Sequence, residues 1–197
     1  MMGKLFVLIL LILGGSLGCR GPKGDDGNTG PSGTVYPDYY NNFDPELRSL
    51  VFEYEAHLGD DADILDSFKL VPQIKVYRNG NLITGVIGVC RKYGDGTRTS
   101  EIESDYWWKA HRVQGKALGY HELAHCIQDA PHKSGYIGGT CTSMMNPYIP
   151  SAETLINCWD TMIDDLFDSS NALALDNHHD ECYTQPDNSI ACFIKGD

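Results

Sequence analysis

The stretch His121-Glu122-Leu123-Ala124-His125 carries the residue types of metal-assisted hydrolysis at a spacing that lets them cooperate. On an α-helix, residues four apart lie on one face about one turn apart, so both imidazoles reach one metal ion. Glu122 sits beside the first ligand, where a carboxylate meets a metal-activated water without binding the metal. The pattern H-E-x-x-H arises by chance in on the order of 1% of chains of this size, so it needs support. His132 supplies some, because a third protein ligand completes a catalytic zinc site and leaves one position for water. On a continuing helix His132 would lie about 10 Å beyond His125, too far for Zn–N bonds of about 2.1 Å. Pro131 disfavours that continuation, so the chain can turn and bring His132 back. Asp129 is the alternative third ligand, since acidic residues also bind zinc.

Elements must exist to hold such a site. Asp44-Pro45-Glu46 reads as a helix start, a capping Asp and a first-turn Pro, with Leu47, Leu50, Val51, Tyr54 and Leu58 following at helical spacing and Gly59 as the stop. Leu70 to Arg78 and Leu82 to Tyr93 are β-rich and flank Asn79-Gly80-Asn81, a hairpin signal. Arg98 to Glu103 suits a short edge strand. A helix from Asp105 or Arg112 runs through His125, and another from Ser151 carries a wide apolar face of Leu155, Ile156, Trp159, Met162, Ile163, Leu166 and Phe167. The order predicts an α+β fold, a small mixed sheet packed on the metal-binding helix and a C-terminal helix.

With its third histidine and the segment Ser143-Met144-Met145-Asn146-Pro147, the chain resembles the metzincin-type zinc metallopeptidases, which set a methionine turn beneath the metal. Their pattern is H-E-x-x-H-x-x-G-x-x-H. Here Gln128 stands at the glycine position and the third histidine comes one residue late. A bacterial group of metallopeptidases is more similar, reading H-E-L-G-H-C, with six residues between its second and third histidines, then S-I-M-[NY]-P. Ala124 and Met144 are the departures, which places the turn methionine at Met145. Arg98 to Trp107 resembles the rim strand ahead of that group's zinc helix. The resemblance implies one catalytic Zn²⁺ on His121, His125 and His132, Glu122 as general base, and Met145 as a support under the metal. It implies a peptide or protein substrate. Tyr148 is a weaker candidate for oxyanion stabilisation, with packing as its competing role.

Composition sets the compartment and excludes partners. The 197 residues carry 27 Asp+Glu and 15 Lys+Arg, a net charge of −12, which argues against nucleic acid, whose binders need a basic face. Residues 1–18 read as a signal peptide: Lys4, the apolar run Leu5 to Leu13, then small residues before Cys19. Ser16-Leu17-Gly18-Cys19 resembles a bacterial lipobox, so Cys19 is the expected lipid attachment point and the anchor the only contact with membrane; ordinary secretion is the alternative. Residues 19–33 repeat glycine every third position, as in collagen, and read as an extended spacer. Residues 34–197 then form one catalytic domain.

The six cysteines after Cys19 suggest three disulfides in an oxidising compartment, and no C-x-x-C pair occurs. Cys126 is rotated about 100° from His125 on the helix, so a disulfide suits it better than a metal. A Cys126–Cys141 bridge would tie the metal helix to the methionine loop. His178-His179 suit a solvated loop, His57 and His111 helix faces, and Trp107 and Trp108 the core. The competing reading is an inactive metal-binding protein or an envelope interaction lipoprotein.

Overall fold

The computed structural model describes residues 36, 38–58, 65–168 and 182–196. The signal sequence, Cys19, the spacer, Gly59 and His178-His179 lie outside the described residues. After a short 3₁₀ turn the elements are α1 (Pro45–Leu58), β1 (Ser67–Val71), β2 (Val76–Arg78), β3 (Asn81–Ile83), β4 (Val86–Lys92) and β5 (Arg98–Glu103). They continue with α2 (Ser104–Lys109), α3 (Arg112–Ile127), β6 (Tyr136–Ile137), β7 (Cys141–Thr142), α4 (Ala152–Phe167), β8 (Cys182–Thr184) and β9 (Ile190–Lys195). The fold is α+β, and its main sheet is mixed, in the order β1-β5-β4-β9-β8, with only β1 and β5 parallel.

The expected hairpin forms: β2 and β3 pair across Asn79-Gly80, both at positive φ as a tight two-residue turn requires. Arg98 to Glu103 is not an edge strand. β1 covers one side of it and β4 the other, so its backbone is not open to a substrate strand. The C-terminal residues also do more than the sequence suggested, because β9 inserts beside β4 and brings β8 to the far edge.

Side chains close two sheet edges. On β1, the Phe68 carbonyl accepts from the Asp44 amide at 2.9 Å and the Leu70 amide donates to the Asp44 carboxylate. Asp44 thus ties the start of α1 to the sheet. At the edge of the small β2–β3 sheet the Gln185 side chain, just past β8, accepts from the Tyr77 amide and donates to the Tyr77 carbonyl, mimicking a strand partner. Unpaired edges invite association, and these two amide and carboxylate groups blunt them.

One sheet face meets α1, α3 and α4 in the main core, through Phe68, Ile87, Ile102 and Ile194. The other meets the β2–β3 region through Val76, Val86, Val89 and Phe193. Within α4 the inward stripe is Leu155, Cys158, Met162 and Ile163, whereas Ile156 is exposed, so the buried face is narrower than its apolar residues suggest. The disulfides are Cys90–Cys126, Cys141–Cys158 and Cys182–Cys192. The expected Cys126–Cys141 bridge is therefore wrong: Cys126 faces the sheet, and the methionine loop is tied to α4. Asp44→Ala should lower unfolding stability by about 1–2 kcal/mol, the cost of freeing the Leu70 amide and unpinning β1. A urea titration with an unchanged midpoint would contradict this role.

Candidate metal centre

Helix α3 begins at His111, whose Nδ1 accepts from the Val113 amide as an N-cap, and from Gly115 onward almost every residue is buried. Leu118, Glu122 and Cys126 follow one another at four-residue intervals along the face toward β4. Two strand residues advance about 6.7 Å and four helical residues about 6 Å, so Gly88 and Cys90 match Glu122 and Cys126. A register irregularity between Val86 and Gly88 resets the strand's alternation at that point. The Cys90–Cys126 disulfide then fixes the helix to the sheet.

His121 and His125 lie one step round the helix from that face. Their Nε2 atoms are 3.0 Å apart, and the Nε2 of His132 stands 3.0 Å from the first and 3.1 Å from the second. His121 Nδ1 donates to the Met144 carbonyl at 2.9 Å, and His125 Nδ1 donates to the Ala130 carbonyl at 2.7 Å. A carbonyl only accepts, so the hydrogen sits on Nδ1 and the neutral ring turns a lone pair outward from Nε2. Burial drives His121 down to about 3 and His132 down to about 4, and burial with the neighbouring rings holds His125 well below its ordinary value. Lone pairs this close repel unless a cation lies between them, and burial disfavours a proton. A metal ion fits, since each separation is less than twice a Zn–N bond of about 2.1 Å. These three residues form a group that could hold one metal ion, and no fourth His, Cys, Asp or Glu joins them among the described residues.

No protein-family model matches this chain, and no curated protein or solved structure matches it. The metal centre stands on its own geometry.

The segment after the helix shows how His132 is brought back to the other two histidines. Gln128, at the glycine position, keeps right-handed dihedrals (φ −96°, ψ −2°), and its side chain accepts from the Tyr54 hydroxyl. The left-handed residue is Asp129, at φ 55°. The helix thus keeps right-handed dihedrals through Gln128 and the chain reverses at Asp129, which brings His132 back. Asp residues enter the left-handed region more readily than most. Asp129 is not a ligand, because its carboxylate pairs with Lys92 of β4 and Arg98 of β5. Burial opposes its ionisation, yet these cations hold its carboxyl below the usual range. Arg98 also donates to the Cys126 carbonyl at the helix end.

Glu122 is fully buried, and neither carboxylate oxygen has a hydrogen-bond partner. Burial raises its pKa well above the ordinary value. It occupies space that exists because residue 88 is glycine: a Cβ there would stand 2.4 Å from Glu122 Oε1 and 2.7 Å from Leu118 Cδ1. A buried polar group without a partner is costly and marks a place where water, an ion or chemistry belongs.

Met144 and Met145 are both buried, and it is the Met144 carbonyl that orients His121. The Met145 carbonyl accepts from the Lys133 amide at 2.8 Å, next to the third ligand. Tyr148 is exposed, with its amide bonded to Asn146, and the structure gives it no contact with the histidines. Trp107 lies against Gly115 and joins the core, but Trp108 is exposed, and His57 stacks on Phe167. The sequence reading missed Gly88, Ala130 and Asp165. Glycine in a strand hints at a close approach, but nothing in the sequence marks the other two.

The three imidazoles carry a pH signature. Below pH 6.5 the unfolded chain takes up protons on these rings, whereas in the fold His121 stays neutral until about pH 3, His132 until about pH 4, and His125 is shifted in the same direction. Glu122 acts in the opposite sense, as one site against three. The metal-free domain should therefore lose stability as pH falls from 6.5 to 4, read as a declining urea midpoint. A flat profile across that window would contradict the buried, neutral ligand set.

Proposed function

We propose that this protein is an exported zinc endopeptidase that hydrolyses peptide bonds, with Glu122 as general base. The observation that carries the reading is the convergence of three neutral imidazoles beside a buried, unpartnered carboxylate on the same helix. The metzincin-like motif and the Ser143–Pro147 segment support the same reading, and the left-handed turn at Asp129 is compatible with it. Zinc suits three imidazole nitrogens. Structural zinc sites use four protein ligands, so a group of three favours a catalytic centre. His132 is half-buried, whereas His121 and His125 are buried.

When bound, zinc supplies a Lewis acid that activates water and polarises a carbonyl. The chain's own residues do the rest. The carbonyls of Met144 and Ala130 hold the hydrogens on Nδ1 of His121 and His125, so the ligand nitrogens stay unprotonated and correctly aimed. A Glu122 oxygen takes a proton from the attacking water and delivers it to the departing amine. A carboxyl whose proton affinity is raised by burial suits both halves of that transfer. Met145 supports the floor of the site, and the Gly88 gap lets the Glu122 side chain lie where it does.

Three disulfides suggest an oxidising environment, and no helix among the described residues is long and apolar enough to cross a membrane. We place the protein in the bacterial cell envelope, anchored by lipid on Cys19 and held off the membrane by the Gly-rich spacer. Glu122→Gln should keep its zinc while lowering cleavage of a fluorogenic peptide library by about 10²–10⁴-fold. Cleavage at the wild-type rate in that variant would sink the mechanism.

A further inference from the structure

Two of the three histidines are fixed by α3 itself, but His132 lies in an irregular segment between α3 and β6, where no ladder of backbone hydrogen bonds sets its position. Contacts of the neighbouring residue add to what holds it. Its neighbour Lys133 is held twice: its amide donates to the Met145 carbonyl at 2.8 Å, and its ammonium pairs with the Asp165 carboxylate of α4. The other oxygen of that carboxylate accepts from the Ser143 hydroxyl at 2.9 Å. Ser143 in turn accepts from the Met145 amide at 3.2 Å. These contacts close a ring from Asp165 through Lys133, Met145 and Ser143 back to Asp165.

The ring joins the segments that shape the metal centre. One carries His132. The other carries the Met144 carbonyl that orients His121. The Cys141–Cys158 disulfide ties the same loop to the same helix, so α4 is the rigid element behind both. The Asp165 side chain is only 11% exposed, and Ser143 is buried. A partly buried carboxylate bonded through both of its oxygens sets direction as well as distance, which an exposed ion pair does not.

We infer that Asp165 is a positioning residue for the metal centre, holding His132 in ligand geometry through Lys133 and the 143–145 loop. The inference rests on the metal-centre reading of His121, His125 and His132. Loss of the carboxylate leaves the buried Ser143 hydroxyl without its acceptor and frees the loop that presents His132. Outer-shell partners of metal ligands typically contribute 10–100-fold to metal affinity, and Asp165→Ala should fall in that range.

The test is zinc affinity of the full chain, measured by competition with a chromogenic chelator. Wild type, Asp165→Ala, His132→Ala and the double variant are compared. The expected result is at least tenfold weaker binding in Asp165→Ala, with no further loss when it is added to His132→Ala. The visible spectrum of the cobalt-substituted Asp165→Ala protein should move toward that of His132→Ala, a change that general loosening of α4 would not produce. Lys133→Met provides a second arm should Asp165→Ala fail to fold, because the Lys133 side chain is 44% exposed and dispensable for packing. It should weaken zinc binding several-fold. Wild-type affinity in the folded variants would overturn the role of Asp165, as would an equal loss in both backgrounds. A folded wild type that takes up no zinc would instead overturn the metal-centre reading.

Discussion

The structure depends on keeping three unprotonated imidazole nitrogens within 3.1 Å of one another in a mostly dry interior. Such an arrangement is unfavourable in the bare chain: the lone pairs repel, and each ring has left water to reach its place. It persists only because surrounding contacts over-determine it. Two carbonyls fix the ring hydrogens, the helix fixes the spacing of His121 and His125, and a loop returned through a left-handed residue fixes His132. The fold is best understood as the set of elements that hold this arrangement in place.

The sheet contributes more than a backing surface. Helix α3 touches β4 with one stripe, Leu118, Glu122 and Cys126, and turns its histidines to the adjacent stripe. That division works only if the contact with β4 is close, which a glycine at 88 permits and the Cys90–Cys126 bond secures. On the other side, α4 restrains the loops that supply His132 and the Met144 carbonyl. The disulfides at Cys126 and Cys141 therefore fall close in sequence to the ligands and their supports. Such covalent ties restrict the ways a loop can move without a metal.

The sequence made the local features legible and left the non-local ones open. The metal helix, the Asn79-Gly80 turn and the Ser151 start of α4 follow from periodicity and from capping or turn chemistry, which act over a few residues. The return of His132 followed from Pro131 and a bond-length argument. The path of that return lies in the dihedrals of Gln128 and Asp129, and neither residue announces a left-handed turn as glycine would. β5 read as an edge because its polar alternation is local, whereas the strand that covers its open side, β1, comes from a parallel crossover; β4 is its hairpin partner. Disulfide pairing, the Gly88 gap and the Asp165 ring depend on which distant segments meet, and no residue type or spacing specifies that.

The central claim is that His121, His125 and His132 together bind one metal ion. The most direct measurement is the zinc content of the purified chain beside its His132→Ala variant, prepared identically and shown to be folded. The account predicts about one zinc per wild-type chain and a large loss in the variant. Equal zinc in both, or none in a folded wild type, would contradict it.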